Sequence, residues 1–328
     1  MNPIRYAKAS SESAAIATVT SEESARYIAG GTTVLDLMKV HVEEPALLVD
    51  ITALPMHAIE ATPSGGVRIG ALATMADVAD SGLVKSGFPV VSQALLASAS
   101  PQLRNMATIG GNVLQRTRCA YFRDTSQACN KRTPGNGCAA REGENRMHSV
   151  IGTSEHCICA HPSDLATSLL TVDALVHTRS AFGERTIPIE GLYVLPGDQP
   201  NIETILRRGE LIVAVELQPS AHARRSAYLK VRDRASFEFA LVSVAVALDI
   251  DGGTIREARI GLGSVAPKPW RAFDVEAALI GKPANAATYD VAAAIATAGM
   301  RGFGQNDYKI PLTRRAVRSA LDLAGGMA

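Results

Sequence analysis

The placement of the cysteines constrains the folding of this chain more than any other feature. All five cysteines of the 328-residue sequence lie between positions 119 and 159. The segment from Gln115 to Glu155 is rich in Arg, Asn, Gly and Thr and has little hydrophobic periodicity, so it cannot build a core of its own. Metal ligation can order such a segment in place of a core. The sequence therefore predicts a long loop, held by thiolate ligands, within an otherwise regular protein.

The cysteine spacing, C-x9-C-x8-C-x18-C-x-C, favours an iron–sulfur cluster over zinc. Thiolates suit both, but the closely paired cysteines common in zinc ribbons are absent from the sequence. Five thiols exceed the four positions of one cluster, and Cys157 and Cys159 point the same way in an extended segment. From spacing alone either of these two could be the fourth ligand. A zinc site, or a set of unrelated free thiols, also stays open.

Basic and histidine side chains accompany the cysteines. The basic residues either offset a negatively charged cluster or form a solvated loop face, and the sequence favours neither. We interpret the histidines as structural hydrogen-bonding residues rather than ligands. The basic residues are Lys131, Arg132, Arg141 and Arg146, and the histidines are His148, His156 and His161.

Two Gly-Gly pairs precede the cysteines. Ile28-Ala-Gly-Gly-Thr-Thr33 lies between a predicted strand, Ala25–Ala29, and a predicted helix, Val34–Val40, and the second pair lies in Thr108-Ile-Gly-Gly-Asn112. Amides in such turns can face a phosphate, because no Cβ blocks close approach. Neither pair matches G-x-G-x-x-G, so a plain turn is the simpler interpretation of either one alone. Together they make a dinucleotide site as plausible as two plain turns.

Composition and charge exclude several classes of protein. The formal charge of +1 argues against nucleic-acid binding. No apolar run approaches the ~18 residues that span a bilayer, so we expect no membrane insertion. The N-terminal residues have neither an apolar stretch nor a twin arginine, so we expect no signal peptide of the chain's own. An odd number of clustered cysteines opposes a secreted disulfide framework. We therefore expect the cytoplasm, or export to the periplasm together with a signal-bearing partner.

The rest of the chain predicts alternating strands and helices followed by a separate α+β domain. Thr74, with Asp77 three residues later, predicts a helix start, and that helix ends near Leu83. Ser163 or Asp164 is expected to cap a further helix. That helix is predicted over Leu165–Asp173, a polar linker over Ser220–Ser226, and C-terminal helices near Ala272–Leu279, Val291–Ala298 and Thr313–Leu323.

Several segments together resemble the FAD-binding medium subunits of molybdenum hydroxylases, the xanthine dehydrogenase family. The resemblance covers nearly the whole chain in order and rests on Ile28–Thr33, Gln102–Asn112 and Gly261–Trp270. Further segments resemble the branch with an extra [4Fe–4S] cluster, to which bacterial periplasmic aldehyde oxidoreductases belong. These segments are Arg116–Phe122, Cys129–Arg132, Gly137–Ala140, His161–Ala166 and Lys230–Ser236. The medium subunit of 4-hydroxybenzoyl-CoA reductase is a more distant relative with a similar insertion.

The resemblance implies an α+β fold in three parts. A two-subdomain FAD-binding fold of the vanillyl-alcohol-oxidase (PCMH) type would comprise residues 1–55 and 56–219, with an iron–sulfur insertion at about 115–160. An α+β CO-dehydrogenase-flavoprotein C-terminal domain would follow at 224–328.

The resemblance also implies the site residues. The implied cluster ligands are Cys119, Cys129, Cys138 and Cys157. Cys159 stands where the family usually has a small residue, so it is set aside. The implied cofactor-binding residues are Ile28, Ala29, Gly30, Gly31, Thr32, Thr33, Val34, Gln102, Thr108, Gly110, Gly111, Asn112, Asp164, Ile212 and Lys230.

The function implied is that of an electron-transfer subunit in a heterotrimeric molybdenum-dependent aldehyde oxidoreductase, with no catalytic residues on this chain. Substrate would react at a molybdenum cofactor on a large subunit. Electrons would pass through two [2Fe–2S] clusters on a small subunit to FAD here, and then to an external acceptor. The alternatives are a zinc or iron–sulfur redox sensor, a 4-hydroxybenzoyl-CoA-reductase-like medium subunit, and a free-standing flavoprotein that uses a nicotinamide.

Overall fold

Three β-sheets follow one another along the chain in a computed structural model that describes residues 3–326. The first sheet has three parallel strands in the order β1-β3-β2. Its central strand is buried along its whole length, and parallel pairing brings the carboxyl ends of β2 and β3 to one edge. The elements are β1 (Arg5–Lys8), α1 (Glu12–Ser21), β2 (Ala25–Ile28), α2 (Val34–Lys39) and β3 (Leu47–Asp50).

The second sheet has five antiparallel strands in the order β4-β5-β8-β6-β7, and helices bury its apolar face. The elements are β4 (Ile59–Ala61), β5 (Val67–Gly70), α3 (Met75–Asp80), α4 (Gly82–Gly87), α5 (Pro89–Ala97), α6 (Pro101–Arg104), α7 (Ile109–Val113), α8 (Ala120–Arg123), α9 (Asp164–Leu169), β6 (Leu175–Ser180), β7 (Gly183–Pro188), α10 (Ile189–Leu192) and β8 (Leu211–Leu217).

Helix caps in this unit agree with the sequence, although two helix ends differ. The Thr74 hydroxyl accepts the Asp77 amide at 3.1 Å, as predicted. However, α3 ends at Asp80 rather than near Leu83, because Ser81 leaves the helical conformation. The helix predicted to end at Asp173 is α-helical only to Leu169 and continues as a 3₁₀ turn to Val172.

The third sheet has four antiparallel strands in the order β12-β11-β10-β9. Three helices of 7, 10 and 17 residues lie on one side of it and bury an apolar core that is separate from that of the second sheet. The elements are α11 (Ala221–Arg224), β9 (Ser226–Val231), β10 (Val242–Asp251), β11 (Thr254–Gly263), β12 (Trp270–Arg271), α12 (Phe273–Leu279), α13 (Ala286–Ile295) and α14 (Lys309–Gly325).

Two predictions in this unit were wrong. One is the description of 220–226 as wholly irregular: the segment contains the short helix α11, in which His222 and Ala223 are buried. Its position as a linker between two domains is not among the errors. The helix expected to begin at Val291 begins at Ala286, where the Asn285 side chain accepts the Thr288 amide at 3.0 Å. Within residues 3–326, the structure has no helix with the length and apolar character needed to cross a bilayer.

The segment from residue 115 to 160 has little regular structure, as predicted; α8 is its one helix in the described chain. Backbone contacts with the third unit hold its far end. The amides of Val150 and Ile151 both donate to the carbonyl of Val265, at 2.9 and 3.1 Å. The buried Asn145 side chain donates to the carbonyl of Phe303 at 2.9 Å. The far end of the segment is therefore anchored on the third unit.

Candidate cofactor sites

The loop between β2 and α2 presents a run of free amides. In the described chain, the backbone N–H groups of the five residues from Gly30 to Val34 donate to no protein acceptor. Gly31 has a φ of 73°, which glycine adopts without strain. A Cβ on Gly30 would lie 1.8 Å from the carbonyl oxygen of Met106, so only glycine fits there. Successive free amides in a turn form an anion-binding concavity. We call residues 29–34 the amide loop.

The second Gly-Gly pair has a different role. It lies in α7, whose first amides are already used: Ile109 donates to Ala73 at 3.0 Å, and Gly110 donates to Ala71 at 2.9 Å. A Cβ on Gly110 would approach the Ala71 side chain to 3.0 Å. The amide of Gly111 makes only a long contact, 3.4 Å, with the Thr108 hydroxyl. The second Gly-Gly pair mainly allows α7 to pack closely against the end of β5, beside the amide loop.

Two cavities meet at the amide loop, and both are lined by Gly30–Thr33 and Gly111. The first, of about 340 Å³, is largely apolar and reaches Ile212 on β8; we call it the Ile212 cavity. The second, of about 610 Å³, reaches Lys230 on β9 and is the Lys230 cavity. Both volumes lie in the range of small-molecule pockets, about 300–1,000 Å³. Their shared wall is the run of free amides.

Most of the expected cofactor-binding residues line one of these cavities, but two do not. Gln102 lies on the exposed side of α6, and Ile28 ends β2 beneath the amide loop. The Ile212 cavity is lined by Ala29, Gly30, Gly31, Thr32, Thr33, Val34, Thr108, Gly110, Gly111 and Ile212. The Lys230 cavity adds Asn112, Asp164 and Lys230.

Several lining residues were not predicted from the sequence. Tyr27 and Leu72 line the Ile212 cavity, and Phe237 and Phe239 line the Lys230 cavity. Phe237 could have been recognised from the sequence, because it is an aromatic residue in the polar segment 232–238. Tyr27 and Leu72 could not, since their places in the cavity wall depend on which strands are neighbours.

A buried ion pair organises the Lys230 cavity. The Lys230 ammonium donates to Asp164 Oδ2 at 2.7 Å, and the two side chains are only 4% and 6% exposed. Asp164 also accepts the hydroxyls of Ser98 at 2.8 Å and Tyr228 at 2.5 Å. Burial raises the pKa of Tyr228 well above its usual value, so this hydroxyl remains a donor. The cap of α9 is Ser163, which accepts the Ala166 amide at 2.9 Å. Asp164 is thus free to hold the ion pair.

The thiols converge in one small enclosed pocket, which we call the thiol pocket. Its members come from separate turns. A β-bridge joins Cys129 to Cys138, and another joins Ser154 to Cys157. The thiols that line the pocket are Cys119, Cys129, Cys138, Cys157 and Cys159.

Backbone amides are directed at several of these sulfurs. The amides of Tyr121 and Phe122 hydrogen-bond to Cys119, although burial dominates and raises the pKa of that thiol to about 12. The amides of Ile158 and Ala140 are directed at the sulfur of Cys138. Amide donors to sulfur are typical of thiolate ligands in iron–sulfur proteins. Cys159 instead lies beside the Cys157 thiol, and that contact lowers the pKa of Cys159.

A buried cation lies beside the thiols. The Lys131 side chain is 6% exposed, and its ammonium donates to the carbonyl of Pro200 at 2.8 Å and to Glu203 at 2.9 Å. Burial opposes its charge, but the neighbouring Cys159 and Glu203 outweigh burial and raise the pKa of Lys131. Glu203 also accepts Arg116 at 2.7 Å, and Arg116 lines the Ile212 cavity. A continuous set of charges therefore connects the thiol pocket with the amide loop region.

The thiol arrangement does not suit a single ion. Among residues 3–326, no three His, Cys, Asp or Glu side chains surround one point as ligands of one metal ion. Zinc needs all its sulfurs within about 2.3 Å of a single centre. An iron–sulfur cluster takes one thiolate on each iron and spreads the sulfurs apart. The donor set and its amide hydrogen bonds fit a cluster better than a lone zinc ion.

Family comparisons cover almost the whole chain. The FAD binding domain in molybdopterin dehydrogenase matches residues 2–220, and the CO dehydrogenase flavoprotein C-terminal domain matches residues 226–322. The chain belongs to the FAD-binding medium subunits of the molybdenum hydroxylase family. The expected family and α+β fold class are thereby confirmed, and this medium subunit is part of an oxidoreductase.

Individual relatives agree with this assignment. The medium subunit is 46% identical to the aldehyde oxidoreductase FAD-binding subunit PaoB of Escherichia coli strain K12, with 100% of both chains covered. It is 26% identical to the carbon monoxide dehydrogenase medium chain of Hydrogenophaga pseudoflava, over 92% of this chain and 89% of the relative. A solved structure of carbon monoxide dehydrogenase from Hydrogenophaga pseudoflava, lacking the Mo-pyranopterin moiety, has a TM-score of 0.78 at 26% identity. That match covers 100% of this chain and 99% of the other.

Proposed function

We propose that this medium subunit carries FAD and a [4Fe–4S] cluster and transfers electrons in a heterotrimeric molybdenum-dependent aldehyde oxidoreductase. The observation that carries the proposal is the presence of two separate cofactor-type sites on one chain. One is a run of five free amides where two cavities meet, and the other is a pocket of five thiols. The aldehyde substrate class rests on the 46% identity to PaoB.

In this proposal the free amides of Gly30–Val34 would hold the FAD pyrophosphate, because they could supply hydrogen bonds without a Cβ in the way. The largely apolar Ile212 cavity suits the adenosine half. The Lys230 cavity suits the flavin ring, because Phe237 and Phe239 offer aromatic faces. Bound FAD would accept electron pairs and release electrons singly, while the protein supplies binding and orientation.

The cluster in this proposal is held by Cys119, Cys129, Cys138 and Cys157. The amides directed at Cys119 and Cys138 support the choice, since they stabilise thiolate sulfur. Cys159 is the thiol left over, because it stands where the resembling family usually has a small residue. The segment from about 115 to 160 is then an iron–sulfur insertion in a chain of three units, one for each sheet.

Contacts between the two sites support an electron relay. Arg118, just before α8, and Arg123, its last residue, both bond to Asp36 on α2, at 2.6 and 2.9 Å. Phe122 of α8 packs against Leu37 of α2, and Leu37 also lines the Ile212 cavity. The helix that follows the amide loop is thus shared by both sites.

The proposed partners are a large subunit with the molybdenum cofactor and a small subunit with two [2Fe–2S] clusters. An external acceptor takes the electrons from FAD, and no nucleic acid or membrane insertion is involved. We place the complex in the periplasm by co-export with a partner, or in the cytoplasm. Co-purification and sequencing of the partners decides between the two, because a twin-arginine signal on a partner would establish export.

Reduction of the flavin by aldehyde tests this function. In the purified complex, adding an aldehyde should bleach the flavin absorbance, whereas the isolated medium subunit should not respond. An absent flavin band in the complex would rule out the proposal. Rapid bleaching of the isolated subunit by NADH would instead indicate a free-standing nicotinamide-dependent flavoprotein. Zinc in place of iron and sulfide would indicate a metal-binding sensor.

A further inference from the structure

One histidine contacts the thiol pocket directly. His148 is 5% exposed, and its Nε2 lies 3.2 Å from the sulfur of Cys119. Its ring also lies near Tyr121, with ring centroids 6.2 Å apart. The contact is within the range of a hydrogen bond to sulfur. His148 is therefore a candidate partner for one of the proposed cluster ligands.

The position of His148 is set by residues outside the thiol pocket. Its amide donates to the carbonyl of Asn145 at 2.9 Å, and its carbonyl accepts the side-chain amide of Asn306 at 3.3 Å. Asn306 is fully buried and belongs to the third unit, just before α14. The backbone of His148 is thus held by the C-terminal domain. The contact with Cys119 does not rely on a cluster to bring the ring there.

The ring has no other polar partner among the residues that the structure describes. Its second nitrogen, Nδ1, is buried and makes no hydrogen bond in that part of the chain. A buried histidine kept for structure normally bonds through both nitrogens. In the described part of the chain, the sulfur of Cys119 is thus the polar contact of the ring.

The direction of the hydrogen bond follows from the chemistry of a ligated sulfur. A thiolate that binds iron has no S–H to donate, so it can only accept. The nitrogen that faces it must therefore carry the proton, in either protonation state of the ring. The bond is then Nε2–H donating to Cys119 Sγ.

We propose that His148 is a positioning residue that donates this hydrogen bond to Cys119 and raises the reduction potential of the cluster. The inference rests on the cluster of the proposed function. On reduction the cluster gains one electron, supplied in the complex by the partner's [2Fe–2S] centres, and no proton moves. The added negative charge spreads onto the thiolate sulfurs. A hydrogen-bond donor stabilises this state more than the oxidised one.

A pair of variants in the whole complex tests the inference. His148→Phe removes the donor while keeping a ring of similar size, and His148→Gln keeps an N–H donor near the same place. Redox titration followed by electron paramagnetic resonance gives the midpoint potential. We expect His148→Phe to lower the equilibrium constant for one-electron reduction about tenfold. This corresponds to a midpoint potential about 59 mV lower than that of wild type. We expect His148→Gln to stay close to wild type. Equal potentials in all three proteins would overturn the inference.

A second measurement keeps the test valid if His148→Phe does not assemble. With ¹⁵N-labelled histidine, the reduced wild-type cluster should show a weak nitrogen hyperfine coupling that disappears in His148→Gln. The absence of coupling in wild type would overturn the inference. So would a strong coupling, since it would make a histidine an iron ligand. Iron and sulfide assays on wild type separate these outcomes from failure of the proposed function, because a wild-type complex without this cluster has no such signal to compare.

Discussion

The amide loop and the thiol pocket lie side by side but are built in opposite ways. The amide loop joins two regular elements of a small sheet, and its shape comes from backbone geometry and a packed apolar core beneath it. The thiol pocket lies in a segment with one short helix, held by side-chain contacts with two other units. The amide loop is formed by the regular elements on either side of it. The thiol pocket depends on contacts with residues that are distant in the sequence.

We expect the two sites to differ in how well they keep their structure when no cofactor is bound. A site formed by β2, β3 and α2 keeps its core when the ligand leaves. A segment without a core loses much of what orders it when metal ligation is removed. We therefore expect damage to the thiol pocket to leave the flavin in place.

The largest effect is expected from losing one cluster ligand. Cys138→Ala should abolish bound iron and acid-labile sulfide, because a cluster needs all four thiolates. FAD content should remain near that of wild type, since the amide loop is built separately. Cys159→Ala is the matched control and should keep its iron. Full iron in Cys138→Ala would refute the ligand assignment, and loss of FAD together with iron would refute the independence of the two sites.

The buried ion pair of the Lys230 cavity should give the next largest effect. Lys230→Met leaves Asp164 buried without its cation, which we expect to cost about 3–5 kcal/mol in the free energy of unfolding. Adding Asp164→Asn to the same chain should recover part of the loss. Lys85→Met, at an exposed pair with Asp80, is the control and should cost less than about 1 kcal/mol. Urea denaturation measures all three. Equal losses at the two lysines would contradict the role given to burial.

Crowding of the amide loop should weaken flavin binding by a smaller amount. In Gly30→Ala the new Cβ meets the carbonyl of Met106, so the loop must shift, at a cost of about 1–3 kcal/mol. FAD retention on gel filtration should fall, while iron content stays the same. Gly82→Ala is the control, since nothing lies within 4 Å of its Cβ position. Unchanged FAD binding in Gly30→Ala would remove the amide loop as the phosphate site.

The free energy of unfolding should depend on pH through His161, which lies at the end of the thiol segment. His161 follows the thiol segment and packs edge-on against Tyr193, and burial lowers its pKa from 6.5 to about 4. The folded state therefore binds fewer protons than the unfolded state between these values. The contribution of neutral His161 to the free energy of unfolding is therefore complete above pH 6.5 and is lost as the pH falls towards 4.

We expect this loss to be about 1–2 kcal/mol, below the roughly 3 kcal/mol of a fully buried group, because the ring borders a cavity. His161→Asn should reduce the dependence of the unfolding free energy on pH between 6.5 and 4, while His148, whose pKa burial also lowers to about 4, keeps its share. An unaltered slope in His161→Asn would show that another group titrates.

Local chemistry made part of this structure predictable from sequence. Thr74 was predictable as a helix cap because its hydroxyl bonds only three residues away. The convergence of the thiols in one pocket was predictable because all five lie in a short segment that has no core of its own. The sequence could not separate the two Gly-Gly pairs, since the use of the Gly110 amide depends on Ala71. The contact of His148 with Cys119 was also hidden, because Asn306, 158 positions away, holds it.

The central claim is that one chain holds a flavin and a cluster at two independent sites. The most direct measurement is the content of FAD, iron, sulfide and zinc in the medium subunit purified alone under anaerobic conditions. We predict about one FAD with about four iron and four sulfide per chain, and no zinc. FAD without iron and sulfide, or zinc in their place, would contradict the account.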